Sequence, residues 1–235
     1  MRYNAILFDL DGTLLPMDND EFTRGYFKLL TEAASAWGYP KDGLLPAMWK
    51  GVWAMVKNDG TCPNEQCFWA VFSEIFGQKV YDDIAHFDAF YGKDFHLAKE
   101  CTFPTPLSKE IVEVARQKAE KVVLATNPIF PEVAVQSRLE WIGLKLEDFD
   151  FVTHYSNSGY CKPNPVYYTD IMHKLNLDPV SCLMVGNNAQ EDAEAAMKAG
   201  LSSYLVTDYL ICEGDLPECP KGSLEDLKVF LEKGE

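Results

Sequence analysis

Two carboxylates, Asp9 and Asp11, stand at the end of the first apolar run of the chain, in the sequence AILFDLDGTLLP. The run at 5–8 predicts a buried strand, and side chains two positions apart on an extended chain share one side. Negative charges this close raise the pKa of one carboxyl unless a cation offsets them. Mg²⁺ is such a cation, because it binds a few carboxylates together with water and phosphate oxygens. The alternative is a plain turn in which either Asp caps the chain before Gly12.

Polar side chains also follow three later apolar runs, each of which predicts another buried strand. They are Thr126 and Asn127 after VVLA (122–125), Lys162 after DFVTHY (150–155), and Asn187, Asn188, Glu191 and Asp192 after CLMV (182–185). Hydroxyl and amide groups suit phosphoryl oxygens, and a lysine can supply positive charge. Each set alone also fits a turn or a helix start. Four sets at four successive strand ends favour one shared site, because ligands of open parallel sheets bind beyond the carboxyl ends of the strands.

The spacing of the apolar residues predicts an α/β fold with a doubly wound, Rossmann-like parallel sheet. A fifth strand is expected at SSYLV (202–206), and from residue 107 onward helical patterns alternate with the strands. These helices are predicted at 107–119, 131–143, 165–176 and 190–200, with a closing helix at 222–235.

Residues 18–100 interrupt this alternation. They contain four helical patterns with aromatic residues at core spacing, and they contain no predicted strand. We therefore expect two domains, an α/β core formed by 1–17 and 101–235 and a helical cap formed by 18–100. The aromatic stripes are the expected core of the helical unit, with a cofactor site as the less favoured alternative.

The overall composition narrows the classes of partner. The formal net charge is -15, from 36 acidic and 21 basic residues, so we expect no nucleic-acid and no membrane partner. Seven cysteines without a CxxC pair predict reduced thiols and a cytoplasmic location. The amino terminus has too short an apolar run for a signal peptide, and no segment approaches the roughly 20 apolar residues of a membrane span.

The motifs DLDGTLL, LATN, CKPNP and VGNNAQED together resemble the haloacid dehalogenase (HAD) superfamily of phosphohydrolases, and the resemblance covers nearly the whole chain. The first motif is highly specific, and the fourth is a variant of the usual GDxxxxD. The helical segment resembles the C1-type cap of that family. The resemblance implies a Mg²⁺-dependent phosphatase that hydrolyses a small phosphorylated metabolite through an aspartyl-phosphate intermediate.

The resemblance also implies a role for each matching residue. Asp9 is expected to be the nucleophile, and Asp11 the general acid and base. Lys162 is expected to keep Asp9 ionised, while Thr126 and Asn127 bind the phosphoryl group. The implied catalytic residues are Asp9, Asp11, Thr126 and Lys162; the implied substrate-binding residues are Asp9, Gly12, Thr126, Asn127 and Lys162; the implied metal ligands are Asp9, Asp11 through its backbone carbonyl, Asn187 and Asp192.

The sequence departs from the family pattern at one position of the fourth motif, and two alternative functions are compatible with its residues. Asn187 stands where the family usually has an Asp, so we expect weaker Mg²⁺ binding, and a catalytically weak protein that binds a phosphorylated ligand is an alternative. A phosphomutase has a similar first motif and cap. By resemblance, the dehalogenase branch lacks the acid at position 11, and the phosphonatase branch has a small residue there. The sequence is compatible with a monomer or a homodimer.

Overall fold

The computed structural model of the protein describes residues 3–233. Four residues of the predicted core domain lie outside the described residues: Met1, Arg2, Gly234 and Glu235. The last two also belong to the closing helix predicted at 222–235.

Within the described chain the strands form one parallel sheet in the order β3-β2-β1-β4-β5-β6. The strands are β1 (Tyr3–Phe8), β2 (Ala119–Leu124), β3 (Phe151–Val152), β4 (Cys182–Gly186), β5 (Ser202–Val206) and β6 (Lys221–Gly222). The first strand is central, and Ile6 is paired with Val122 on one side and Leu183 on the other. Residues 5–8 are completely buried because helices cover both faces of the sheet. The predicted α/β fold class with a parallel sheet is confirmed.

The strand order places a topological switch between β1 and β4. The chain builds the sheet outward from β1 through β2 and β3, then returns to the other side of β1 to start β4. The chain segments that follow β1 and β4 lead away to opposite sides of the switch, and this leaves a crevice at the carboxyl ends of the two strands. Residues directly after β1 and β4 therefore line the same crevice.

The helices lie between the strands in sequence and pack on the sheet or on each other. They are α1 (Asn19–Ala36), α2 (Lys41–Val56), α3 (Asn64–Phe76), α4 (Val80–Tyr91), α5 (Leu107–Lys118), α6 (Glu132–Trp141), α7 (Val166–Leu175), α8 (Ala195–Lys198) and α9 (Leu224–Lys233). A 3₁₀ helix covers Asp94–Cys101, and a π-helical segment covers Ala189–Glu194. Among residues 3–233, no helix combines the length and the apolar character needed to cross a bilayer.

Three elements differ from the sequence-based predictions. The strand predicted at 150–155 is only Phe151–Val152, because the Asn157 side chain accepts from the backbone nitrogen of His154 and donates to the carbonyl of Val152. The helix predicted at 190–200 starts as the π-helical segment and becomes α-helical only over α8. The short β6 was not predicted, since two residues carry no periodic pattern.

Helices α1 to α4 and the 3₁₀ helix form what we call the helical insert, residues 19–101, between β1 and α5. Its aromatic rings pack with each other and with rings of the α/β part. The ring centroids of Tyr26 and Phe130 are 5.6 Å apart, and those of Phe95 and Trp141 are 5.2 Å apart. The insert is thereby held against α6 and the loop before it. The division into a core of 1–17 and 101–235 and a cap of 18–100 stays a prediction.

Candidate active site

A tight turn follows β1 and presents the first pair of carboxylates. The β1 ladder continues to Asp9, whose backbone nitrogen donates to Val185 at 2.8 Å. The chain then closes on itself, with Gly12 donating to the carbonyl of Leu15 at 2.9 Å. Gly12 has φ +82, and a Cβ there would overlap the side-chain amide of Asn187. Glycine is required at this position by both its backbone angle and the close approach of the last motif.

The Asp9 carboxylate lies between a lysine and a hydroxyl. Lys162 donates from Nζ to Asp9 Oδ1 at 2.9 Å. The Thr13 hydroxyl lies 3.4 Å from Asp9 Oδ2 and 3.1 Å from Asn187 Oδ1, and it can donate to one of them at a time. Thr13 was not among the predicted site residues, although it belongs to the motif DLDGTLL. The first and fourth motifs are therefore in contact through side chains.

Lys162 is a buried cation with two carboxylate partners. Its side chain is 1% exposed, and Nζ also donates to Asp192 Oδ1 at 2.6 Å. Burial by itself lowers the pKa of Lys162, but Asp192 and Asp9 raise it well above its ordinary value. The ammonium is therefore protonated at all physiological pH values and fixes the position of Asp9.

The π-helical segment after β4 positions Asp192 behind that lysine. Asn188 caps the start of the segment, and its side chain accepts from the backbone nitrogens of Gln190 and Glu191. Asp192 Oδ2 accepts from the backbone nitrogen of Asn188 at 2.9 Å, so both its oxygens have protein partners. Burial raises the pKa of Asp192 and Lys162 opposes this rise. A Cβ at Gly186 would overlap the Asp192 carboxyl, which is why the strand ends in glycine.

Arg138, a residue of α6, forms an ion pair with Asp11 and was missed by the sequence analysis. Its side chain is completely buried, Nε donates to the carbonyl of Ala134 at 3.1 Å, and the guanidinium lies 4.4 Å from the centre of the Phe130 ring. Helical spacing places position 138 on the same face as the buried Ala134 and Trp141. The sequence feature that could have indicated Arg138 as a site residue is its position as a cation on the apolar face of a predicted helix.

The environment of Asp11 favours a carboxyl that can hold a proton. Desolvation raises the pKa of Asp11, Arg138 lowers it, and the nearby Asp9 charge raises it, with a net rise above its usual value. One oxygen, Oδ1, is buried and has no partner among the described residues. The second carboxyl of the pair is therefore oriented by Arg138 and keeps one oxygen available at the site.

Thr126 and Asn127 follow β2 at the same edge of the sheet. The backbone carbonyl of Thr126 accepts from Thr153 Oγ1 at 2.7 Å and from the Tyr167 hydroxyl at 2.9 Å. Asn127 donates from Nδ2 to Glu191 Oε2 at 3.1 Å, and its Oδ1 has no partner in residues 3–233. The Thr126 backbone and the Asn127 amide nitrogen are thus held in place by hydrogen bonds.

These groups surround one cavity of about 380 Å³ between the sheet edge and the helical insert. Six of the predicted site residues line it: Asp9, Asp11, Thr126, Asn127, Asn187 and Asp192. Lys162 contacts Asp9 and Asp192 from behind, and Gly12 contacts Asn187 from the turn. The opposite wall consists mainly of aromatic side chains of the insert, whose spacing in the sequence predicted a helical core.

The oxygen atoms at this cavity suit a hard divalent cation. No group of three or more His, Cys, Asp or Glu side chains in residues 3–233 is arranged as a metal site. The donors that the resemblance implies are the carboxylates of Asp9 and Asp192 with two neutral oxygens, the Asp11 carbonyl and the Asn187 amide, and Mg²⁺ accepts such a set with water and phosphate. The site also carries an excess of negative charge that a cation could offset. Four carboxylates, Asp9, Asp11, Glu191 and Asp192, face two cations, Lys162 and Arg138.

Comparison with known proteins gives a consistent family assignment. The family model described as haloacid dehalogenase-like hydrolase matches residues 3–200. Haloacid dehalogenase-like hydrolase domain-containing protein 3 of Bos taurus is 27% identical over 111 residues, which cover 44% of this chain and 43% of that protein. The match therefore spans less than half of that relative's length.

Solved structures of similar fold include proteins with different activities in their descriptions. The HAD-hydrolase YfnB from Bacillus subtilis bound to magnesium has a TM-score of 0.59 at 19% identity, covering 99% of this chain and 100% of that chain. The HAD phosphatase from Thermococcus onnurineus has a TM-score of 0.59 at 18% identity, covering 98% of both chains. The 2-haloacid dehalogenase from Pseudomonas syringae pv. Tomato DC3000 has a TM-score of 0.64 at 16% identity, covering 100% of both. At these identities the likeness shows the fold alone.

Proposed function

The chain belongs to the haloacid dehalogenase-like hydrolase family of enzymes, and from this premise we propose that it is a Mg²⁺-dependent phosphatase acting on a small phosphorylated metabolite. The observation that carries the proposal is the arrangement of the two carboxylates of the first motif. Asp9 is paired with Lys162, Asp11 is paired with Arg138, and both carboxylates line one cavity. Lys162 thus holds one carboxylate in place as the nucleophile while the other is available for proton transfer.

In the first step, an oxygen of the Asp9 carboxylate attacks phosphorus and forms an acyl-phosphate bond. The bond from phosphorus to the ester oxygen breaks, the electron pair stays on that oxygen, and Asp11 delivers a proton to it. The raised pKa of Asp11 favours a proton on this carboxyl before the step. Lys162 offsets the negative charge of the phosphoryl oxygens, and Thr126 and Asn127 orient the group.

In the second step, Asp11 is a carboxylate and takes a proton from water, whose oxygen attacks phosphorus. The bond between phosphorus and Asp9 breaks, which releases phosphate and regenerates the Asp9 carboxylate and the protonated Asp11. Arg138 stabilises the charge that Asp11 carries between the two steps. One carboxyl therefore serves first as acid and then as base.

When bound, Mg²⁺ supplies positive charge between the nucleophile and the phosphoryl group. The proposed ligands are Asp9, the backbone carbonyl of Asp11 and Asn187. Direct coordination by Asp192 stays a prediction; the contacts of Asp192 with Lys162 support a role in holding that lysine. The helical insert is proposed to act as a cap that excludes water from the cavity.

The dehalogenase activity in the description of one solved structure is the main competing reaction within the family. Asp11 supports the phosphatase, since by resemblance the dehalogenase branch lacks an acid at that position. A phosphomutase and a catalytically weak binding protein are separate outcomes of the same experiment.

The test is hydrolysis of 4-nitrophenyl phosphate and a panel of phosphorylated metabolites by the full chain, with and without Mg²⁺. We expect turnover that requires Mg²⁺, is abolished in Asp9→Asn, and falls by roughly 10²–10⁴-fold in Asp11→Asn. Trapping with beryllium fluoride is expected to place the adduct on Asp9. Chloride release from a 2-chloroacid, isomerisation of a sugar phosphate, or tight ligand binding without turnover would each replace the phosphatase by another function.

A further inference from the structure

The wall of the cavity that faces Asp9 and Asp11 is built mainly from aromatic rings of all four helices α1 to α4, beside Asn19, Thr23, Met48 and Val52. It includes Tyr26 and Phe27 of α1, Trp49 of α2, Trp69 of α3 and Tyr91 of α4. Rings held against each other provide rigid, flat surfaces for a bound group. Phe27 and Trp49, for example, have ring centroids 5.5 Å apart. Such a wall buries the most apolar area, and so binds most favourably, when the bound group is itself flat and apolar.

The same wall lacks positive charge. Among the described residues that line the cavity there is no Lys, Arg or His, and the charged member from the insert is the carboxylate Asp88 of α4. The cations of the insert that the sequence offers, such as Arg24, Lys50 and Lys57, are exposed to solvent and do not line the cavity. The two cations at the sheet edge, Lys162 and Arg138, are already paired with carboxylates.

A second negative group on the substrate would therefore have no cationic partner among the described residues that line the cavity. The Asp88 carboxylate would repel it, and the surrounding aromatic rings carry no positive charge to pair with it. A polyhydroxylated leaving group is less well matched, because apart from Asn19, Thr23 and Asp88 the insert residues that line the cavity are aromatic or apolar and offer few partners for its hydroxyls. A neutral or positively charged aromatic group brings neither an unpaired negative charge nor many unpaired hydroxyls into the cavity.

We propose that the substrate is a phosphate monoester whose leaving group is aromatic and carries no negative charge. The inference rests on the proposed phosphatase activity and adds the substrate class of that site. A cavity of about 380 Å³ has room for a substituted ring next to the phosphoryl group. The Asp88 carboxylate extends the tolerance to leaving groups with a positive charge at the end far from phosphorus.

The test compares three aryl phosphates of similar size and similar leaving-group acidity, with Mg²⁺ and the full chain. They are 4-propylphenyl, 4-(2-aminoethyl)phenyl and 4-(carboxymethyl)phenyl phosphate, measured beside phosphoglycolate and glucose 6-phosphate. We expect kcat/KM for the neutral and cationic aryl esters to exceed that for the other three compounds by roughly tenfold or more. Equal or better hydrolysis of the anionic or sugar compounds overturns the inference while the phosphatase stands.

A charge reversal tests the role of the wall itself. Asp88→Lys is expected to raise kcat/KM for the carboxymethyl ester and lower it for the aminoethyl ester, shifting their ratio by roughly tenfold. Asp82→Lys is the matched control, since Asp82 is also exposed on α4 and does not line the cavity. An equal shift in both variants, or none in Asp88→Lys, overturns the inference. No hydrolysis of any compound by the native chain removes the proposed function and the inference together.

Discussion

At the scale of single residues, Arg138 controls the protonation of Asp11. Arg138 lowers the pKa of Asp11 against the rise that burial causes. Arg138→Met therefore raises this pKa further. Because the first step of the proposed reaction needs a proton on Asp11, we expect the rate to decline as pH rises through that pKa. The alkaline limb of the kcat profile should therefore move to higher pH in the variant. The pH–rate profile of the variant measures this, and a limb that stays in place or moves to lower pH contradicts it.

Two further measurements separate this effect from general damage. Arg116→Met is the matched control, because Arg116 is exposed on α5 and its bond is to the backbone carbonyl of Asp148. In urea unfolding, Arg138→Met should be less stable by about 3 kcal/mol, since it leaves a desolvated carboxylate without its partner. The loss should be smaller when Asp11→Asn is already present, and equal losses in both backgrounds would show that the pair is not coupled.

Asn187 is one of the proposed Mg²⁺ ligands, and its uncharged amide is expected to limit how strongly the site attracts a divalent cation. Its Oδ1 lies 3.1 Å from Thr13, and its Nδ2 donates to the carbonyl of Tyr209 at 2.6 Å. Asn187→Asp adds a negative charge to the proposed Mg²⁺ ligands but places a carboxylate oxygen against the Tyr209 carbonyl. We expect Mg²⁺ to bind roughly tenfold more tightly, while the metal-free protein unfolds at a lower temperature.

Titration of Mg²⁺ against thermal unfolding measures both effects of that substitution independently of activity. The conservative variant Asn187→Gln is the control, because it keeps an uncharged amide. Unchanged or weaker Mg²⁺ binding in Asn187→Asp would remove Asn187 from the proposed ligands.

At the scale of elements, the contact between α2 and α3 depends on one glycine. A Cβ at Gly51 would overlap the ring of Phe68, which is itself packed on Trp69 with ring centroids 5.0 Å apart. Ala is favoured over Gly in a helix by roughly 1 kcal/mol, but overpacking costs about 1–3 kcal/mol. We therefore expect Gly51→Ala to destabilise the protein in urea unfolding despite the better helix former.

The matched control for that prediction is Gly92→Ala. Gly92 lies at the end of α4 with φ -80, and the atoms nearest to an added Cβ are 3.6 Å away or more. The substitution should leave stability unchanged or slightly improved. Equal stability of the two variants would mean that the Phe68 ring can move away from the added Cβ without a loss of folding free energy.

At the scale of the whole molecule, the helical insert and the sheet share one set of aromatic contacts. Rings of α1 and the 3₁₀ helix pack on Phe130 and Trp141, and the Ser137 hydroxyl donates to the carbonyl of Tyr91 at 2.8 Å. We expect a single unfolding transition in urea, because neither part retains its buried surface when the other unfolds.

The tryptophans allow a direct measurement of this coupling. Four of the five lie in the insert, at 37, 49, 53 and 69, so fluorescence reports mainly on that part, whereas far-UV circular dichroism reports on all helices. Coincident transitions are expected. A fluorescence transition at lower urea than the dichroism transition would mean that the insert unfolds by itself.

The sequence by itself determined the α/β class, the parallel strands and the motifs at their ends. These are local properties: an apolar run such as 5–8 predicts a buried strand, and Asp9, Asp11, Thr126 and Asn187 follow such runs directly. Because parallel strands end at one edge of a sheet, local position was enough to bring these residues together. It also indicated that residues 18–100 are largely helical.

The tertiary structure alone decided which charges are paired and what faces the site. The ion pair of Arg138 with Asp11 joins residues 127 positions apart, and the partners of Lys162, Asp9 and Asp192, lie 153 and 30 positions away in the chain. The periodicity of α1 to α4 predicts buried aromatic faces, but it cannot distinguish a ring inside a helical core from one that lines a cavity. That difference depends on how the insert packs against the sheet, which is a property of long-range contacts and of no single segment.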